Sequence, residues 1–120
     1  MALFTLMHEL AVTQHILSIA VRHASESNAT RIAAINLVIG QMASIVDDCV
    51  QFYWDIISKD TIAQGAALHF QRIPARLSCE TCHGSYVLNE SELICPYCGG
   101  SAVTLIAGDE FYVDSIEVET

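Results

Sequence analysis

At 120 residues with a formal net charge of −9, the chain has the size of one ordinary domain, or of two small units if one of them has support beyond a hydrophobic core. Hydrophobic residues make up 52% of it and charged residues 16%, a mixture that fills a core and excludes a disordered chain. No apolar run approaches the roughly 20 residues needed to span a bilayer, because Gln14, His15, Arg22 and His23 interrupt the longest candidate, and no basic segment opens a signal peptide, so a cytoplasmic protein is expected.

The first periodic segment covers residues 10–27, where Val12, Ile16, Ile19, Ala20 and His23 recur at spacings of three and four without Gly or Pro. This predicts a helix, ended by the small polar residues 25–30. Residues 32–39 then alternate Ile35, Leu37 and Ile39 with Ala34, Asn36 and Val38, a β-branched strand stopped by Gly40. A second helix is predicted from Asp47 and Asp48, whose carboxylates suit the positive end of a helix dipole, with Val50, Tyr53, Trp54 and Ile57 facing the core. A strand over 67–73 ends at Pro74, and a last strand covers 110–119 after the turn signal Gly108-Asp109. Between them lies a cysteine module. Entry and exit strands on both sides of that module predict an α+β fold, with two helices packed on a small antiparallel sheet and a zinc-ribbon lobe inserted in it. The boundaries expected are residues 1–73 plus 108–120 for the α+β domain and 74–107 for the lobe.

Cys79-Glu80-Thr81-Cys82 and Cys95-Pro96-Tyr97-Cys98 are two C-x-x-C pairs with twelve residues between them. Four thiolates suit tetrahedral zinc, each short spacer aims two sulfurs at one ion, and Gly99-Gly100 leaves backbone N–H groups free to point at sulfur. Iron in the same four-thiolate geometry is the rival metal. Covalent haem at Cys79-x-x-Cys82-His83 would leave the second pair without a purpose. His83 reads as a turn residue or as a spare ligand. The lobe has few large apolar residues, so the metal is expected to be structural, and four cysteine ligands leave no open position for catalysis. Cys49 stands apart in an apolar stretch and reads as a small core residue.

Charge is segregated. Arg22, Arg31, Lys59, Arg72 and Arg76 all lie in the first 76 positions, ahead of the four paired cysteines, whereas residues 77–120 hold eight acids and no Lys or Arg. A nucleic-acid binder needs clustered basic residues, so no nucleic-acid partner is expected, nor a membrane. No glycine-rich phosphate loop or nucleophilic triad can be placed, which points away from an enzyme.

Met7-His8-Glu9-Leu10 sets an imidazole beside a carboxylate just before the first helix; taken alone, such a pair reads as a solvated cap. Together with Ile39-Gly40, Phe52, Gly65-Ala66-Ala67-Leu68, the four cysteines, residues 108–113 and Ile116-Glu117-Val118-Glu119, it makes the chain resemble the HypA/HybF family of nickel-insertion proteins for nickel–iron hydrogenase maturation, over nearly all of residues 7–119. The resemblance implies a metallochaperone with Ni(II) as cargo, His8 as principal nickel ligand, Glu9 as a ligand or supporting group, and zinc on Cys79, Cys82, Cys95 and Cys98. It implies a nickel-handling GTPase of the HypB type and the hydrogenase large subunit as partners, with urease served in some bacteria. Family members begin at the methionine of M-H-E, while here Met1 to Leu6 precede it; either Met7 is the native start or nickel is bound differently. A homodimer is left open. The rival readings are a zinc-ribbon protein-interaction adaptor and an iron–thiolate electron carrier.

Overall fold

The computed structural model describes residues 2–88 and 93–120, with side chains from Glu9 onward in the first helix. The elements run α1 (Ala2–Glu26), β1 (Arg31–Gly40), α2 (Asp47–Ile57), β2 (Ala67–Ile73), β3 (Arg76–Cys79), β4 (Ser85–Val87), β5 (Val103–Ala107) and β6 (Phe111–Glu119). Among the described residues no helix is long and apolar enough to cross a membrane.

The first helix starts earlier than the periodicity suggests. Residues 2–9 contain no Gly or Pro to stop a helix that propagates back from residue 10, so Met7-His8-Glu9 lies inside α1 and not ahead of it. Its buried stripe is Glu9, Thr13, Ile16, Ala20 and Ala24, at spacings of three and four. Asn28, in the left-handed region at φ 57, closes the helix while the Ala29 N–H reaches back to the Ala24 carbonyl. In α2 the buried residues are Val50 and Trp54, with Tyr53 and Ile57 half-buried, and α1 packs against α2.

The chain divides into two compact units. One comprises residues 1–37, 44–71 and 112–120, the other 38–43 and 72–111. In the first, Ile32, Ile35 and Leu37 of β1 join Ile16, Ala20, Val50 and Trp54 among the fully buried side chains. The sheet order is β2-β1-β6. The Thr30 N–H donates to the Glu119 carbonyl and the Gly40 N–H to the Glu110 carbonyl, so β6 runs antiparallel to β1. The expected antiparallel pairing is found there. β2, delivered through the α2 crossover, runs with β1, since Ile32 pairs with Ile62 and Gln41 with Ile73.

The second unit holds an antiparallel sheet of order β4-β3-β5, with Leu77 opposite both Tyr86 and Leu105. Its core is small: Ala75, Leu77, Cys79, Tyr86, Leu88 and Cys95, against which Val103 and Leu105 pack. Here position 40, the last of β1, is glycine for a steric reason. A Cβ on Gly40 would overlap the backbone of Gly108, and Gly108 at φ 110 itself lies against Ala75.

Candidate metal centres

Two knuckles carry the four cysteines, and they share one hydrogen-bond frame. In the first, the Cys79 N–H donates to the Gly84 carbonyl at 2.8 Å and the His83 N–H to the Cys79 carbonyl at 2.9 Å. In the second, the Cys95 N–H donates to the Gly100 carbonyl and the Gly99 N–H to the Cys95 carbonyl, both at 2.9 Å. His83 at φ 64 therefore occupies the position that Gly99 occupies at φ 76. Gly84 and Gly100 follow, and their N–H groups point at the sulfurs of Cys82 and Cys98, while those of Thr81 and Cys82 point at Cys79.

The four sulfurs all lie within 4.8 Å of one another, with Cys79 and Cys98 at 3.5 Å and Cys82 and Cys95 at 3.6 Å. A tetrahedron with metal–sulfur bonds of about 2.3 Å has edges of about 3.8 Å, so the donor set fits zinc. The cysteines are free thiols. Backbone donation from Cys82 and Thr81 lowers the Cys79 thiol to about 6. Cys98 is pushed up to about 12: the Gly100 N–H favours its thiolate, but neighbouring Cys79, burial and the other sulfurs oppose it more strongly. One thiolate forms readily while Cys82 and Cys98 resist, which is the behaviour of a cluster shaped around a cation. Tyr86 is buried nearby with a hydroxyl that has no hydrogen-bond partner among the described residues, and burial followed by the charges of Cys95, Cys79 and Cys98 raises its pKa. His83 is exposed and stands outside the group of four.

The side chain of His8 lies outside the described residues. Glu9 does not, and it is no solvated cap: it is fully buried, at 0% exposure, on the buried stripe of α1. Neither carboxylate oxygen has a hydrogen-bond partner among the described residues. Thr13 gives its hydroxyl to the Glu9 backbone carbonyl at 2.6 Å and not to the carboxylate. A buried, unpaired carboxylate costs several kcal/mol, so such groups are normally paired or bound to a metal. Cys49, in the first turn of α2, is half-buried and not the core residue its surroundings suggest. Its thiol comes close enough to Glu9 for that carboxylate to be the first cause of its raised pKa, followed by burial and the charges of Glu9 and Asp48. Sequence reasoning missed this approach. The available signal was Glu9 itself, which falls on the stripe of Thr13, Ile16 and Ala20. His15 and His23 are exposed on α1, and His23 faces Glu26 at 3.6 Å.

Residues 7–118 match the family described as hydrogenase/urease nickel incorporation, metallochaperone, hypA. A hydrogenase maturation factor HypA from Dehalococcoides mccartyi is 45% identical over 113 residues, which cover 94% of this chain and 95% of that protein. The solution structure of the Ni metallochaperone HypA from Helicobacter pylori superposes with a TM-score of 0.64 at 18% identity, covering 92% of this chain and 97% of its own. A second solution structure, of a HypA protein, gives 0.71 at 20% identity, covering 93% and 96%. At those identities the two structures speak for the fold.

Proposed function

Since the chain belongs to the HypA family of hydrogenase/urease nickel-incorporation metallochaperones, we propose that it carries Ni(II) to a hydrogenase under assembly, with His8 and Glu9 in the cargo site and zinc on the four cysteines. The observation that carries the reading is Glu9, a fully buried carboxylate with no hydrogen-bond partner among the described residues, placed next to His8 in the chain. A nitrogen- and oxygen-bearing site suits nickel, and four soft thiolates in a tetrahedron suit zinc, so the two metals are kept apart by donor type. Zinc at the cysteines supplies folding energy to a small described core cluster of six buried residues.

The first unit is the nickel-handling one and the second the zinc-bearing one. The protein acts without catalysis of its own: a four-cysteine site is closed to substrate, and nucleotide chemistry belongs to a GTPase partner of the HypB type. The hydrogenase large subunit is the recipient, with urease as a further client. The absence of Lys and Arg from residues 77–120 favours basic protein surfaces over nucleic acid as partners. The paired C-x-x-C motifs favour a reducing compartment, the cytoplasm.

The test is nickel titration of the zinc-loaded chain and of His8→Ala. Nickel binding is lost in His8→Ala while zinc content and fold are kept, and His15→Ala and His23→Ala bind as the parent does. Nickel binding that survives His8→Ala overturns the assignment.

A further inference from the structure

We propose that the free edge of β6 is a docking strand: an extended segment of a partner protein, alternating apolar residues with Lys or Arg, adds to the sheet β2-β1-β6 beside residues 112–119. The inference goes beyond the metal sites and holds whatever the cargo.

β6 forms one edge of its sheet. Its far end is tied to β1, since the Glu119 carbonyl accepts from the Thr30 N–H at 2.8 Å and the Arg31 guanidinium reaches the Glu119 carboxylate at 3.2 Å. In an antiparallel pair the backbone groups of successive residues point to opposite sides of the strand. With Glu119 turned to β1, the N–H and carbonyl of Val118 therefore face away from it. Among the described residues no strand of the sheet receives them. An unpaired edge of this kind is a template for a further strand.

The side chains of β6 say what kind of strand fits. On one row Val113, Ile116 and Val118 are only half-buried, whereas Ile32, Ile35 and Leu37 of β1 are fully buried. The cover that α1 gives stops short there, and a cleft of about 230 Å³ remains at Ile19 and His23 of α1 and Val113, Asp114, Ser115 and Ile116 of β6. The apolar side chains of an added strand extend that row and cover it. On the other row Tyr112, Glu117 and Glu119 are exposed, and the pattern shifts phase at Asp114-Ser115, which leaves both of these exposed as well. Asp114 accepts from the Ser115 hydroxyl and Glu117 from the Asn36 amide, and neither has an ion pair among the described residues. β6 holds no Lys or Arg. Basic residues at alternate positions of the added strand stand across from these carboxylates, the favourable cross-strand arrangement. A second copy of this chain is a poor occupant: pairing β6 with β6 crowds Asp114, Glu117 and Glu119 of both copies together, on molecules that each carry a net charge of −9.

The experiment uses the full zinc-loaded chain and two capped peptides of about eight residues, one alternating Val with Lys and one alternating Val with Glu. Calorimetric titration is expected to give one Val-Lys peptide per chain, bound at least about tenfold more weakly in about 0.5 M salt, and no binding of the Val-Glu peptide. Hydrogen exchange at the Val118 amide should slow at least about tenfold with the Val-Lys peptide present. A Val-Lys peptide N-methylated at every residue keeps the charges but has no N–H to donate, and its binding should fall at least about tenfold. Asp114→Lys combined with Glu117→Lys should weaken the Val-Lys peptide by a similar factor, while Asp48→Lys combined with Asp55→Lys, the same change of net charge on α2, should not. Equal binding of the methylated peptide, an unprotected Val118 amide, or equal loss in both charge-reversed pairs reduces the attraction to net charge and overturns the docking strand. A dimer of the chain alone, with the Val118 amide already protected, gives the edge to a second copy and overturns it as well. No Val-Lys binding also overturns it, and none of these outcomes touches the His8-dependent nickel reading, which the nickel titration tests separately.

Discussion

Glu9 places a carboxylate at a position of α1 where Thr13, Ile16, Ala20 and Ala24 set an otherwise small, largely apolar stripe. Because the oxygens have no hydrogen-bond partner among the described residues, Glu9→Leu should raise the stability of the nickel-free chain by about 2 kcal/mol in chemical denaturation while lowering nickel affinity, the usual opposition between stability and function. A nickel-free chain that is less stable with leucine would mean that the carboxylate has a structural partner. The thiols of the cluster give a second prediction, with the sign set by proton counts. Cys79, near 6, is largely deprotonated at neutral pH, whereas Cys82 is raised and Cys98 stands near 12, so zinc displaces at least two protons there. The metal-bound state therefore holds fewer protons, and affinity rises with pH. Metal affinity against a competing chelator should fall by at least about a hundredfold per pH unit just below neutrality, and more steeply below about 6, where Cys79 also takes up a proton. A flat profile would mean that the thiols ionise without metal.

At the scale of elements, the twin knuckles and the crossing at Gly40 decide what the chain tolerates. His83 and Gly99 sit in the same left-handed position, where a side chain costs on the order of 1 kcal/mol. His83→Gly should therefore keep zinc and gain about that much stability in the metal-bound protein; loss of zinc would make the imidazole a ligand. Gly40→Ala has no such freedom, because the new methyl meets the backbone of Gly108. Destabilisation of about 3 kcal/mol is expected in thermal or chemical unfolding. The helical start of α1 bears on nickel as well. A chain beginning at Met7 would turn residues 7–10 into a helix N-terminus with free N–H groups and a free amine beside His8. It should bind nickel more tightly than the chain beginning at Met1, increasingly so as pH rises and the amine loses its proton; equal affinity at every pH would exclude the amine.

At the scale of the molecule, the two units have different sources of stability. The first holds Ile16, Ile35, Leu37, Val50 and Trp54 fully buried, a core that owes nothing to metal. The second holds a small core cluster in which two of the six described buried residues are themselves cysteines of the metal site. Chelation of zinc should therefore expose residues 72–111 to proteolysis while α1 and α2 keep their far-ultraviolet helical signal. Simultaneous loss of both would show that the units fold as one.

What the sequence determined alone was whatever local chemistry decides. Periods of three to four and of two placed α2, β1, β2 and β6 within a residue or so, because amphipathic faces are written into neighbouring residues. The C-x-x-C spacing brought four sulfurs within reach of one ion, because a knuckle is closed by its own backbone hydrogen bonds. The start of α1 was less legible, since an apolar segment without breakers extends a helix beyond the reach of its periodic stripe. The tertiary structure alone decided the order β2-β1-β6 and the assignment of residues 38–43 to the unit that carries the cysteines. It also decided that a carboxylate beside His8 would be buried and meet a thiol 40 residues away. Such meetings depend on how α1 packs against α2, and no spacing within one segment encodes the distance between two helices.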